Sequence, residues 1–189
     1  MDEGSAVSPK GWELIDQASR DGWHPAISEH IADVYVRTSR VAERGYVPDG
    51  ELDAMRPGDY LESWHRRLGS PEPHATWVAE VNGEVVGFCY VEPSLDDDAA
   101  AATGHVDMLF VLPERAGRGI GARLLAEGVT HLRTFGFSEA TLWALARNHR
   151  TRRFYEREGW TAADARKRYD HEGYAVDLIR YVRPLSAQD

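Results

Sequence analysis

A glycine-rich turn between an apolar strand and an amphipathic helix is the segment with the clearest chemistry. Gly117, Gly119 and Gly121 stand in this turn, and Arg118 and Arg123 add mobile positive charge. A helix N-terminus has unpaired backbone N–H groups and a partial positive charge, and glycine lets the backbone approach an anion closely. The junction therefore predicts a site for a pyrophosphate group.

The spacing of these glycines disfavours two other phosphate-binding classes. A dinucleotide turn has the pattern Gly-x-Gly-x-x-Gly, and a nucleotide phosphate loop ends in Gly-Lys-Ser/Thr. Residues 117–121 read Gly-x-Gly-x-Gly. Glycine clusters also occur in turns that bind nothing, so this segment alone leaves its role open.

Four polar side chains are candidates for proton transfer or ligand contacts. His105 and Asp107 lie on the strand before the turn, and strand periodicity places them on one face with Leu109 and Val111. An imidazole or a carboxylate there can accept a proton, although both residues could equally be ordinary polar positions of a strand. A second group lies further along the chain. It consists of Asn148, which could cap a helix or contact a ligand, and Tyr155, which could donate a proton or pack in the core.

The elements that must position these residues alternate between helices and strands. We predict helices over about residues 24–43, 60–68, 119–135 and 150–158, and strands over about 12–15, 76–81, 84–91, 105–112, 141–146, 160–166 and 175–183. Asn82-Gly83 predicts a type I′ hairpin, and Pro48, Asp49 and Gly50 indicate a loop. The expected fold is a single α/β domain over residues 11–185, with a mixed, mostly antiparallel sheet flanked by helices and flexible tails at 1–10 and 186–189.

Composition narrows the classes of function. The chain has 189 residues and a formal net charge of −9, which disfavours nucleic acid as a partner and favours cationic ligands. No apolar run is long enough to span a membrane, and residues 1–9 do not form a signal peptide, so we expect a soluble, cytoplasmic protein. The eight histidines lack a ligand spacing, which predicts no metal site. The single cysteine, Cys89, lies in an apolar strand and is expected to be part of the core.

Two blocks resemble the GNAT family of N-acetyltransferases. Residues 116–121 resemble the family pattern Gln/Arg-x-x-Gly-x-Gly/Ala, with Ala116 departing from its first position. Residues 148–160 resemble the pattern Asn-x-x-x-x-x-Phe-Tyr-x-x-x-Gly-Phe, and one helix and one strand separate the two blocks, as in the family. The resemblance extends more loosely over residues 12–185. It includes an Arg-Tyr-x-Arg-Pro-Leu ending at 180–185, which is similar to bacterial members.

The resemblance implies acetyl-CoA as the co-substrate and direct attack of a primary amine on its thioester in a ternary complex. It implies Tyr155 as the acid that protonates the leaving thiolate. His105 takes the position of a glutamate found in some members, so His105 or Asp107 would be the base. It also implies that acetyl-CoA contacts Tyr155 and ten other residues. These are Leu109, Phe110, Val111, Arg118, Gly119, Ile120, Gly121, Ala122, Arg123 and Asn148.

The acceptor is expected to be a small-molecule or peptide amine. The resemblance implies that it binds near Tyr46 and Val47, with His105 and Asp107 facing the same opening. Two alternatives remain: an acyl-CoA-binding sensor without catalysis on the same fold, and a nucleotide-binding enzyme of another class. The sequence says nothing about oligomeric state, and a homodimer is compatible with it.

Overall fold

A seven-stranded sheet with helices on both faces forms the body of the protein. The computed structural model describes residues 13–15, 26–171 and 174–185. The strands are β1 (Glu13–Ile15), β2 (Ala75–Val81), β3 (Glu84–Pro93), β4 (Thr103–Val111), β5 (Glu139–Leu145), β6 (Thr161–His171) and β7 (Tyr174–Pro184). The helices are α1 (Ala26–Ala42), α2 (Asp49–Ala54), α3 (Leu61–Leu68), α4 (Ile120–Thr134) and α5 (His149–Arg157).

The sheet has the order β1-β2-β3-β4-β5-β7-β6. Its neighbouring strands are antiparallel except for β4 and β5, which are parallel. The predicted α/β domain with a mixed, mostly antiparallel sheet is therefore confirmed. The predicted tails at 1–10 and 186–189, and the part of the first predicted helix before Ala26, lie outside the described residues.

The turn predicted at the first hairpin is present in the structure, but the loop predicted after α1 is not. Asn82 and Gly83 have φ angles of 53° and 79°, as a type I′ turn requires. The loop predicted around Pro48 is wrong, because α2 begins at Asp49. The Pro48 carbonyl accepts hydrogen bonds from the backbone N–H groups of Glu51 and Leu52, and the side chain of Leu52 is buried. Proline is well tolerated where a helix starts, and burial of Leu52 stabilises the turn that follows.

The two faces of β3 pack against different helices. Phe88 and Tyr90 point to the face covered by α1 and α3, where the ring of Trp64 lies 4.9 Å from that of Phe88. Cys89 and Val91 point to the other face, where α4 passes close to the sheet at Gly128. A Cβ atom at Gly128 would lie 2.8 Å from Val91 Cγ1 and 3.1 Å from Cys89 Sγ. The glycine therefore sets the distance between α4 and the sheet.

We expect Gly128→Val to destabilise the fold. The added side chain overlaps buried atoms of β3, and overpacking a core costs about 1–3 kcal/mol. Urea unfolding should show a lower free energy of unfolding with an unchanged slope. Gly50→Ala is the control, because nothing lies within 4 Å of a Cβ atom at Gly50 in α2. Equal stability of the parent and Gly128→Val would contradict this account of the packing.

Candidate active site

Strands β4 and β5 pair at only one end, which leaves an opening between them in the sheet. Their parallel ladder consists of three pairs, Thr103↔Glu139, Gly104↔Ala140 and His105↔Thr141. Beyond these pairs β4 continues to Val111 and β5 to Leu145. Backbone groups of residues 106–111 that point toward β5 therefore have no partner on that strand. An extended chain that carries amide groups could hydrogen-bond to them as an added strand would.

The glycine-rich turn lies directly after the open stretch of β4. Gly117 and Gly119 have φ angles of 77° and 86°, a left-handed conformation that favours glycine. Gly119 is the N-cap of α4, and no side chain caps the helix there. The first hydrogen bond of the helix runs from Arg123 N–H to the Gly119 carbonyl. The backbone N–H groups of residues 120–122 therefore point out of the helix end, where they can bind an anion.

The side chains of this turn contribute less than its backbone. Arg118 is exposed, and Arg123 forms an ion pair of 2.6 Å with Glu127, which offsets its charge. A Cβ atom at Gly121 would lie in ordinary contact with Val111 and Phe154, at 3.6 and 3.7 Å. Gly121 therefore lies between α4, β4 and α5, whereas Gly119 is the position at which backbone conformation requires glycine.

Tyr155 lies on α5, on the same side of the sheet as α4. Its ring packs against Phe154, Trp160 and Tyr181, with centroids 5.3, 6.3 and 5.9 Å away. Burial raises the pKa of the Tyr155 phenol well above its usual value, and the nearby Cys89 adds to this. The phenol therefore stays protonated over the physiological pH range, as a proton donor must.

The position of α5 depends on contacts that the sequence analysis did not identify. The Tyr181 hydroxyl donates to the Glu156 carboxylate at 2.8 Å and accepts from Arg152 Nε at 3.1 Å. Arg152 also donates to the Ala146 carbonyl at 3.1 Å. These contacts hold α5 against β5 and β7 and so orient Tyr155. In the sequence, the Arg-Tyr-x-Arg-Pro-Leu ending contains Tyr181 and could have indicated these contacts.

Asn148 is the N-cap of α5. Its side-chain oxygen accepts a hydrogen bond of 3.1 Å from Thr151 N–H. Of the two roles considered for Asn148, the structure shows the cap. The amide nitrogen has no recorded partner among the described residues and remains available to a ligand in the opening.

A β-bulge changes the expected arrangement of side chains along β4. Tyr90 pairs with Met108 and Val91 pairs with Val106, so Asp107 is an extra residue in the strand. A bulge shifts the alternation of side chains by one position. His105 therefore faces the α1 and α3 side, whereas Leu109, which pairs with Cys89, faces α4. The prediction that His105 and Asp107 share a face with Leu109 and Val111 is wrong for this reason.

His105 is held with one ring nitrogen available as a base. Its Nδ1 lies 2.9 Å from Thr141 Oγ1, and Thr141 donates its hydroxyl proton to the Gly104 carbonyl at 3.3 Å. Nδ1 therefore carries the proton, and Nε2 keeps its lone pair. Burial lowers the pKa of His105, opposed by the charges of Asp107 and Asp96. The ring is therefore neutral at pH 7.

Asp107 belongs to a polar cluster on the α3 side of the sheet. Its carboxylate lies 3.5 Å from the guanidinium of Arg67 in α3. Tyr90 donates a hydrogen bond of 3.1 Å to Glu92, and His74 Nδ1 lies 2.9 Å from the Tyr90 hydroxyl. The structure thus places His105 and Asp107 together, as predicted, and adds Glu92 and Arg67 from distant parts of the sequence.

The two predicted acceptor contacts lie on the segment between α1 and α2. The Tyr46 hydroxyl donates across the opening to the Arg147 carbonyl at 3.4 Å, beside the cap of α5. The side chain of Val47 is 8% exposed and packs into the protein. Tyr46 therefore borders the opening, and Val47 supports the segment that carries it.

Cys89 is fully buried, and burial raises the pKa of its thiol to about 12. It does not form a thiolate near neutral pH, which argues against a role as an acyl-carrying nucleophile.

In the residues that the structure describes, 13–15, 26–171 and 174–185, no group of three or more His, Cys, Asp or Glu side chains could hold a metal ion. In the same part of the chain, no helix is both long and apolar enough to cross a membrane.

The sequence profile of the acetyltransferase (GNAT) family matches residues 30–160. This match covers the opening, the turn and α5, so the chain belongs to the GNAT family.

Relatives of known sequence are also acetyltransferases by name. An uncharacterized N-acetyltransferase of Archaeoglobus fulgidus is 33% identical over 50% of this chain and 65% of its own length. A mycothiol acetyltransferase of Acidimicrobium ferrooxidans is 32% identical over 59% of this chain and 31% of its own. The chain thus spans about two thirds of the first relative and about a third of the second.

Solved structures show the same fold. The yncA protein of Salmonella typhimurium, solved with its cofactor acetyl-CoA, superposes with a TM-score of 0.69 at 18% identity, over 94% of this chain and 96% of its own. The PaiA N-acetyltransferase of Thermoplasma acidophilum, solved with coenzyme A, gives 0.67 at 16% identity, over 92% and 98%.

Proposed function

We propose that this protein transfers an acetyl group from acetyl-CoA to a primary amine, by direct attack of the amine in a ternary complex. The observation that carries this proposal is the placement of two proton-transfer groups. Tyr155 lies on the α4 side of the sheet. His105 occupies the last paired position before β4 and β5 separate and faces the α1 and α3 side. In this proposal the acid for the leaving group and the base for the amine act from opposite faces of the sheet.

The opening fits the co-substrate at two points. The outward N–H groups of residues 120–122 suit a pyrophosphate. The edge of β4 over residues 106–111, which has no partner on β5, suits an amide-containing arm. When bound there, acetyl-CoA supplies the thioester that the amine attacks.

The residues of the chain would then divide the proton transfers. His105 Nε2 accepts a proton from the incoming ammonium group, directly or through water, with Asp107 nearby to favour a cation. Tyr155 donates its phenolic proton to the sulfur as the C–S bond breaks. The second proton, which the nitrogen loses after it has bonded to the carbonyl carbon, passes to water. Backbone N–H groups of Leu109 to Val111 can polarise the thioester carbonyl. The pKa shifts set the starting protonation states: the lowered pKa of His105 keeps its ring neutral and able to accept a proton, and the raised pKa of Tyr155 keeps its phenol protonated and able to donate one.

We expect His105→Ala and Asp107→Asn to reduce the transfer rate more than the affinity for acetyl-CoA. A base must be neutral, so kcat/KM of the parent should fall as pH drops through the pKa of His105, which burial places below its usual value of 6.5. At pH 7 the parent keeps its activity. In His105→Ala this acid limb is lost, and the deficit shrinks at high pH because free amine is then abundant.

The pH–rate profiles of the parent and both variants test this assignment, with acetyl-CoA affinity measured by calorimetry as the control. A profile that neither substitution changes would leave His105 and Asp107 as ordinary strand residues.

A screen of acetyl-CoA consumption over diverse amines tests the function itself. Release of free CoA together with an N-acetylated product supports transfer. Tight binding of acetyl-CoA without turnover of any amine would favour an acyl-CoA-binding sensor, because every cofactor contact would remain without catalysis.

A further inference from the structure

A cavity of about 490 Å³ lies between α1 and the end of α2 with the turn that follows it. Its charged lining consists of Arg37, Arg40 and Arg56 together with Asp33 and Asp53. Three cations and two anions leave this lining with a net charge of +1, in a chain whose formal net charge is −9. The cavity is therefore a locally positive region, and its lining residues have no part in the proposed acetyl transfer.

Both carboxylates of the lining already have an arginine partner. Asp33 pairs with Arg37 at 3.1 Å, one turn away on α1. Asp53 pairs with Arg44 at 2.8 Å. Neither carboxylate is therefore free to neutralise the two remaining cations of the cavity.

Those two cations, Arg40 and Arg56, converge on one backbone carbonyl. The Met55 carbonyl accepts from Arg40 Nη2 at 2.6 Å and from Arg56 Nη1 at 2.9 Å, so the two nitrogen atoms lie no more than about 5.5 Å apart, the sum of these distances. Arg40 Nε also donates to the Leu52 carbonyl at 3.1 Å, and Arg56 Nη1 to the Asp53 carbonyl at 2.7 Å. Each guanidinium group is thus fixed along one edge.

The other edge of each guanidinium group is open. Within the described ranges, no acceptor is recorded for Nη1 of Arg40 or for Nε and Nη2 of Arg56, and no carboxylate forms an ion pair with either residue. Capping of the last carbonyls of α2 accounts for the used edges only. Two like charges this close repel each other, so an anion bound between them would remove the repulsion and satisfy the open donors.

A phosphate group matches this arrangement, because its oxygens accept the paired N–H donors of a guanidinium fork and its charge balances two cations. A water molecule takes about 30 Å³ in the liquid, so the cavity also has room for an organic group attached to the phosphate. We propose that Arg40 and Arg56 bind a phosphate group in this cavity, either as free phosphate or as part of a small phosphate ester. This site is separate from the opening between β4 and β5.

Calorimetric titration with inorganic phosphate tests the inference, at constant ionic strength maintained with chloride. CoA is present in excess, so that the turn before α4 is occupied. The parent should bind one phosphate per chain, and Arg56→Gln should weaken this binding at least tenfold. Arg66→Gln removes an exposed arginine from α3, changes the net charge equally, and should bind phosphate as the parent does.

Three results would overturn the inference. The first is a titration of the parent that does not saturate. The second is equal weakening by Arg56→Gln and Arg66→Gln, because phosphate would then respond to net charge alone. The third is binding that Gly119→Val or added CoA abolishes and Arg56→Gln leaves unchanged, which would assign the phosphate to the turn before α4. Acetyl transfer is not measured here, so failure of the proposed function would leave these results intact.

A second variant covers the case in which Arg56→Gln fails to fold, as judged by circular dichroism. Arg56→Lys keeps the charge but loses the planar fork, and should bind phosphate more weakly than the parent. Unchanged binding in this variant counts against the guanidinium contact.

Glycerol 3-phosphate distinguishes the two sources of the phosphate group. Tighter binding than inorganic phosphate identifies a phosphate ester as the ligand, and equal or weaker binding identifies free phosphate. Either result supports the site if Arg56→Gln weakens the binding of both probes.

Discussion

Tyr155→Phe is expected to slow acetyl transfer on the order of 10²-fold while acetyl-CoA binds as tightly as in the parent. The substitution removes the phenolic proton and keeps the ring, which packs against Phe154, Trp160 and Tyr181. The loss should therefore appear in kcat, because the hydroxyl acts when the thiolate leaves. Steady-state kinetics with an accepted amine, together with calorimetric binding of acetyl-CoA, measures both quantities.

Tyr181→Phe separates proton donation from positioning. It removes the hydroxyl that anchors α5 to Arg152 and Glu156 but leaves the Tyr155 phenol in place. We expect it to lower the free energy of unfolding by about 1 kcal/mol and to reduce kcat much less than Tyr155→Phe does. Equal turnover in Tyr155→Phe and the parent would make Tyr155 a packing residue, and the thiolate would then leave without an acid.

Gly119→Val is expected to weaken acetyl-CoA binding at least tenfold, or about 1.4 kcal/mol. Gly119 has a φ of 86° at the N-cap of α4, which a β-branched residue adopts with strain. Relief of that strain would turn the N–H groups of residues 120–122 away from the pyrophosphate. Calorimetry with CoA measures the loss, and CoA without its acetyl group suffices because the contact is remote from the thioester.

Gly136→Val provides the matched control for backbone strain. Gly136 follows the other end of α4, has a φ of 84°, and has nothing within 4 Å of an added Cβ atom. Both variants should lose stability by a similar amount, but Gly136→Val should bind CoA normally. Equal CoA affinity in the parent and a folded Gly119→Val would remove the pyrophosphate site from this turn.

Features that depend on neighbouring residues could be predicted from the sequence. The Asn82-Gly83 hairpin, the glycine-rich start of α4 and the cap of α5 each follow from backbone preferences within a few residues. The order of strands and helices followed from periodicity, which identified the α/β class. The two local motifs also identified the family, because they carry the contacts expected for the co-substrate.

Features that depend on distant contacts could not be predicted in this way. Helix α2 forms in a segment with loop composition because Leu52 is buried by other elements. The bulge at Asp107 arises from the pairing of β4 with β3, and it turns His105 away from the face of Leu109. A period-2 pattern contains no information about an extra residue in a ladder, since both registers have the same local composition.

The sequence by itself therefore determined the fold class, the family and the turn expected to bind the pyrophosphate. The tertiary structure alone decided which groups face one another across the opening. Tyr155 lies on the α4 side of the sheet, whereas His105 and Asp107 face the α1 and α3 side, where Arg67 of α3 meets Asp107. The physical reason is that backbone preferences act over a few residues, whereas the position of one side chain relative to another is set by packing between elements far apart in the chain.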